Sequence, residues 1–177
     1  MRLPGGEAPN AVWCYDFVHD RLADGRSLKL LCVVDEYTRE CLAIEVGRSI
    51  RSQDVIVTLS RLMRLYGKPA CIRSDNGAEF TALRVMKWLQ DEKIGPIFIQ
   101  PGSPWQNGFV ESFNGKLRAE CLNREWFLTR REAKVVIERW RQFYNHQRPH
   151  SSLGYRTPVE IREEALRTHF DGGIKKH

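Results

Sequence analysis

Apolar residues fall into two spacings along this chain, and the switch between them marks out its elements. Residues 11–18, AVWCYDFV, are apolar and β-rich, the pattern of a buried strand interrupted by one acid, Asp16. Asp24-Gly25 is a hairpin turn signal, LKLLCVV at 28–34 reads as a second strand and CLAIEV at 41–46 as a third. The connections are short, so the three strands form an antiparallel meander. The period then becomes helical. Val55, Ile56, Leu59, Leu62, Met63 and Tyr66 share one side, with Ser52 placed to cap the helix and Gly67 and Pro69 to end it. ACIRS at 70–74 is a short strand leading directly into Asp75. Residues 79–92 read as a helix with Phe80, Leu83, Met86 and Leu89 or Gln90 on one side, and PIFIQ at 96–100 as another strand. Ser103 and Pro104 open a helix reaching about residue 121. Thr129 and Glu132 form a capping box for a last long helix carrying Ala133, Val136, Ile137, Trp140 and Tyr144 on one stripe. Beyond about residue 165 the chain is polar and reads as a frayed tail.

The order β-β-β-α-β-α-β-α-α, with three antiparallel strands and then strand–helix alternation, implies an α/β fold: a mixed five-stranded sheet with helices on its faces. With 177 residues, 42% of them apolar, the chain is long enough for one domain with a real core and too short for two large ones. The expected organisation is a short flexible N-terminus over 1–10, a core over 11–160 and a C-terminal tail over 161–177. A net charge of +6 is compatible with a polyanionic partner. Five widely spaced cysteines include no CxxC pair, which argues against a zinc knuckle; Cys14, Cys32, Cys41 and Cys71 lie in apolar runs and read as buried hydrophobes in a reducing compartment. There is no apolar run of membrane-spanning length and no apolar signal segment, so a cytoplasmic protein is expected.

Three acids stand where acids are costly or useful. Asp16 is flanked by Trp13, Cys14, Tyr15, Phe17 and Val18, where a carboxylate needs a partner or a cation. Asp75 follows a short strand and precedes the Asn76-Gly77 turn, and ligands of α/β sheets collect at such strand ends. Glu111 lies inside the helix after Pro104, sharing a face with Asn107, Asn114 and Arg118. Carboxylates on three rigid elements can hold hard divalent ions, and two such ions clamp the attacking and leaving oxygens of a phosphoryl transfer. Taken singly, each acid also fits a structural role: a turn cap, an ion pair or a solvated helix acid.

Thirty-five residues separate Asp75 from Glu111. This spacing resembles the Asp–Asp–35–Glu signature of retroviral integrases and related bacterial insertion-sequence transposases. WCYDF at 13–17, SDNGAEF at 74–80 and QNGFVESFNGKLRAE at 106–120 look like the family's three acid motifs, and YNHQRPHSSLGYRTP at 144–158 looks like the C-terminal signature of the insertion sequence three group. The resemblance covers about residues 11 to 160. It implies a ribonuclease-H-like fold, and two Mg²⁺ or Mn²⁺ ions held by Asp16, Asp75 and Glu111. It also implies cleavage and joining of mobile-element DNA ends to target DNA. Arg118, and with it Asn107, would contact DNA phosphates.

Asn114 and Lys116 belong to the same DNA-facing set, within a surplus of basic residues from Lys116 to Arg148 that also reads as a solvated, internally paired helix. Trp105 stands beside the proline-rich loop ahead of Glu111. His146 and His150 flank Arg148-Pro149; proline breaks the helix and no cysteine is near, so they read as packing rather than a zinc site. Family members carry an upstream helix-turn-helix region, and nothing before Trp13 forms one. The expectation is a fragment, a separate subunit or a truncated remnant, with an upstream DNA-binding domain or subunit as partner and a homo-oligomer as the working form. A non-catalytic nucleic-acid-binding remnant and a ribonuclease-H-like nuclease that cuts without joining stay open as alternatives.

Overall fold

The long apolar strands are explained by a sheet covered on both faces. A computed structural model of the chain describes residues 6–74, 80–98 and 108–174. Strands β1 (Val12–Arg21), β2 (Ser27–Asp35) and β3 (Cys41–Gly47) form the antiparallel meander. β4 (Cys71–Ser74) and β5 (Gly95–Phe98) add in parallel beside β1, giving the order β3-β2-β1-β4-β5. Successive side chains of a strand point to opposite faces. Thus Cys14, Val18, Leu30, Cys32 and Val34 enter one core, while Trp13, Tyr15, Leu31 and Val33 enter the other.

The second core is closed by α1 (Ser52–Tyr66) through Val55, Leu59 and Leu62, and by α2 (Phe80–Asp91) through Val85 and Leu89. The first is closed by α3 (Gly108–Glu120) through Val110, Phe113 and Leu117, and by α4 (Arg130–His146) through Ala133, Ile137, Trp140 and Tyr144. The result is a layer of helices on each side of a mixed sheet.

Local chemistry sets several boundaries. Gly25 (φ +87) turns the β1–β2 hairpin, and Gly67 (φ +92) ends α1 with its N–H donating to the Met63 carbonyl at 2.9 Å. Both conformations favour a residue without Cβ. Thr129 caps α4, its Oγ1 accepting from Glu132 N at 3.1 Å. Glu132 reaches back to Leu128 N at 3.1 Å, one residue before the cap.

Three expectations need correction. Ser52 is the first helical residue of α1 and is buried; Arg51 occupies the cap position, and its N–H donates to Asp54 Oδ2 at 2.8 Å. In α2 the core-facing pair is Val85 and Leu89, with Trp88 beside them, whereas Leu83 and Gln90 are exposed. The sheet lies on the i, i+4 side of that helix, a choice the ambiguous spacing left undecided. The polar stretch beyond about residue 165 is not frayed as far as residue 174 but continues a helix, α5 (Pro158–Ile174). It is held by charge: Arg162 pairs with Glu40 and, at 3.4 Å, with Asp35, and lies over the Tyr66 ring at 4.9 Å.

Candidate active site

Asp16 lies mid-β1, opposite Cys32 of β2. Its side chain points to the face that α3 covers, in the row with buried Cys14 and Val18. The carboxylate is partly exposed. Oδ1 accepts from Phe17 N at 2.8 Å, and Oδ2 accepts from Asn114 Nδ2 at 3.1 Å. At the far end of the same helix, Arg118 Nη2 donates to the His19 carbonyl at 3.0 Å. Helix α3 therefore runs beside β1 in the same direction, pinned to it at two points one turn apart.

Glu111 is exposed in the first turn of α3, one turn before Asn114. Val110, Phe113 and Leu117 face the sheet, so Glu111, Asn114 and Arg118 share the flank turned towards the Asp16 end of the contact. Asn114 Oδ1 is buried and has no hydrogen-bond partner among the described residues. A buried oxygen acceptor of this kind beside a carboxylate suits a cation or a water bound to one.

The remaining predicted residues are placed unequally. β4 pairs with β1 through Cys14 and Arg73 and ends at Ser74, the residue before Asp75 in sequence. Asp75, Asn107 and Trp105 lie outside the described residues. Among the described residues no three His, Cys, Asp or Glu side chains converge as a metal cluster. Lys116 stands on the other flank of α3, its Nζ 3.4 Å from Ser112 Oγ. The basic run after it is partly engaged internally: Arg148 holds Glu120 at 2.8 and 3.1 Å, and Arg141 holds Glu138 at 2.7 Å and the Cys41 carbonyl at 2.8 Å.

His146 and His150 do not form a pair: His146 is exposed, while His150 is buried edge-on against Tyr144 at 4.7 Å. Cys14, Cys32, Cys41 and Cys121 are buried free thiols, whereas Cys71 is only partly buried. Burial raises the thiol pKa of Cys14, Cys32 and Cys41, which leaves them inert.

Sequence reasoning missed a layer of charge beneath the site. Arg73 Nε donates to Glu36 Oε1 at 2.7 Å, and both side chains are buried. Arg39 stacks over Phe109 with 3.8 Å from guanidinium carbon to ring centroid. The run Asp35 to Glu40 reads as a polar turn in sequence, and no spacing there reveals that its charges point inward.

A model of the integrase core domain matches residues 6–104, more than half of the chain, and a second integrase core domain model matches residues 92–158. The chain belongs to the integrase core domain family. Over 91% of its length, this integrase core is 47% identical to a 31.7 kDa protein of insertion element IS407 from Burkholderia multivorans, covering 57% of that protein. It is 44% identical to a 39.2 kDa protein of IS476 from Xanthomonas euvesicatoria, covering 46% of it, and 30% identical to the transposase of IS904 from Lactococcus lactis, covering 62% of it.

The chain thus spans about half the length of the first two curated relatives. Its fold matches the HTLV-2 integrase catalytic core domain, solved in complex with magnesium, with TM-score 0.69 and 20% identity over 89% of this chain and 99% of that one. It also matches a chain of a simian T-cell lymphotropic virus intasome, with TM-score 0.74 and 19% identity over 91% of this chain and 57% of that one. The integrase core therefore has the ribonuclease-H-like fold expected from its motifs. No helix among the described residues is long and apolar enough to cross a membrane.

Proposed function

We propose that this integrase core, over residues 11–160, is a DDE-type polynucleotidyl transferase that cleaves the ends of a mobile DNA element and joins them to target DNA. The observation that carries this reading is the Asn114–Asp16 hydrogen bond, which fastens α3, one turn from Glu111, onto the strand that bears Asp16. Asp16, Glu111 and, by its motif, Asp75 offer carboxylate oxygens only, a donor set suited to Mg²⁺ or Mn²⁺. Two such ions, held by Asp16 and Asp75 with Glu111 completing the second site, would activate the attacking oxygen and neutralise the leaving one.

The chain's own residues do the positioning. Phe17 N–H and the Asn114 amide orient the Asp16 carboxylate, and burial of Val110, Phe113 and Leu117 fixes the face that presents Glu111. Arg118 and, by its motif, Asn107 would contact DNA phosphates, with Asn114 and Lys116 in the same DNA-binding set. In the first reaction water displaces a 3′-oxygen from phosphorus, forming one P–O bond and breaking another. In the second, the freed 3′-hydroxyl attacks a target phosphodiester, a new P–O bond forms as the bond from phosphorus to the target strand's 3′-oxygen breaks, and the proton of the attacking hydroxyl passes by way of solvent to the departing oxygen. The working form is a homo-oligomer in the bacterial cytoplasm, with end recognition from an upstream helix-turn-helix domain or subunit.

The test is Mg²⁺- or Mn²⁺-dependent cutting and joining of labelled element-end DNA by the parent and by Glu111→Gln. The parent is expected to act only with metal, and the folded variant to lose more than about a hundredfold in rate. Glu111 is exposed, so its unfolding temperature should be unchanged. Equal behaviour of the two proteins, with no metal binding by calorimetry to either, would overturn the assignment. Cutting without joining would instead indicate a nuclease.

A further inference from the structure

The flank of α3 turned away from Glu111 borders a pocket of about 130 Å³ whose walls include Arg39, Phe109, Ser112, Lys116, Tyr144 and Ser152. At 100° per residue, Ser112 and Lys116 lie about 150° round the helix from the Glu111–Asn114–Arg118 face. The pocket is therefore separate from the acids, though both are built on the same helix.

Neither of its two cations makes a salt bridge among the described residues, and Glu36 and Asp35, the acids that act on Arg39, are already bound by Arg73 and Arg162. Lys116 Nζ contacts only the Ser112 hydroxyl, and the Arg39 guanidinium donates to the Glu36 carbonyl while stacking on Phe109. Glu120, the acid that acts on Lys116, is already bound by Arg148 through two contacts. Burial, then the charge of Arg148, lowers the Lys116 pKa, and burial lowers that of Arg39. Two half-buried like charges on one hollow are costly unless an anion lies between them. The Arg39 guanidinium lies over the Phe109 ring, its planar fork is the shape that grips phosphate oxygens in pairs, and Ser112 and Ser152 bring hydroxyl donors to the same space. The volume far exceeds what one water molecule requires.

We infer that this pocket is a phosphate-binding subsite, set by Arg39 and Lys116, that holds a backbone phosphodiester of the DNA away from the acid face. The DNA as source of the phosphate rests on the proposed function; phosphate binding itself does not.

The experiment titrates the metal-free chain with inorganic phosphate and, separately, with a short single-stranded oligonucleotide, following side-chain NMR shifts. Lys116→Gln is expected to weaken both by about tenfold. Lys87→Gln, the same charge change at an exposed position of α2, should leave phosphate binding as in the parent. Arg39→Lys, which keeps the charge and loses the flat donor edge, should give a loss of its own. It is a second reading of the site should Lys116→Gln not fold. Parent-like binding of both probes by Lys116→Gln and Arg39→Lys would overturn the subsite. Lys116-dependent binding of phosphate but not of the oligonucleotide would overturn DNA as its ligand. Failure of metal-dependent cutting alongside intact Lys116-dependent phosphate binding would remove the proposed function and leave the pocket standing.

Discussion

The acids of this chain divide by what fills their oxygens. Asp35, fully buried, accepts from the backbone N–H groups of Asn10 at 2.8 Å, Tyr37 at 2.9 Å and Thr38 at 3.1 Å, and meets Arg162 at 3.4 Å. Glu36 and Glu40 are held by Arg73 and Arg162. These are structural acids that tie the β2–β3 turn to the N-terminal segment and to α5. Asp16 is less buried; Phe17 N–H and the Asn114 amide are among its partners, and its carboxylate lies on the sheet's α3 side. Asp35→Ala strips four donors of their acceptor inside the protein, and should cost about 3–5 kcal/mol in urea unfolding. Asp35→Asn keeps one oxygen and should cost less; equal costs would show that the retained oxygen contributes nothing without the second.

At the scale of elements, α4 does more than cover the core. Asn145 Oδ1 accepts from Cys41 N at 2.8 Å and its Nδ2 donates to Cys41 O at 2.9 Å, so one side chain pairs the start of the edge strand β3 as a neighbouring strand would. Arg141 donates to the same carbonyl at 2.8 Å. Tyr144 packs between Phe113, Trp140 and His150. The Tyr144–Asn145 pair of the C-terminal signature is thereby a structural lock that fixes α4, and through Phe113 the position of α3. Because α4 holds this lock, its N-cap matters to the whole domain: Thr129→Ala is expected to destabilise the chain by about 1 kcal/mol, readable as a lowered thermal midpoint. An unchanged midpoint would mean that Glu132 or water satisfies the freed donors.

At the scale of the molecule, the sheet order β3-β2-β1-β4-β5 puts β1 at the centre, with β4 in parallel beside it and α3 across it. Elements far apart in sequence thus meet at the strand that carries Asp16. The same closure buries His150 under α3 and α4. Burial, then the charges of Arg148 and Lys116, lowers its pKa from 6.5 to about 4. A depressed histidine pKa means that the unfolded chain takes up a proton that the folded chain refuses. The stability it contributes is complete above pH 6.5 and is lost as pH falls towards 4. The thermal midpoint of the parent should therefore fall more steeply than that of His150→Phe across this window; parallel profiles would show that His150 is not the group responsible.

Alternation, helical period and turn residues determined the elements, because each depends on neighbours within a few positions. They determined the five strands and the first four helices to within a few residues, and the four motifs determined the family. Whether a charged residue points inward depends on partners distant in sequence, and only the tertiary structure decided that. Arg73 reaches Glu36 across 37 positions, Arg162 reaches Glu40 across 122, and Asn114 reaches Asp16 across 98. For the same reason α5 was not legible: its exposed, weakly patterned surface is docked by an arginine whose partners lie on the far side of the sequence. The residues proposed to carry chemistry were singled out one by one. The flank of α3 on which each stands, and so which of them meet, came from the packing of Val110, Phe113 and Leu117 against the sheet.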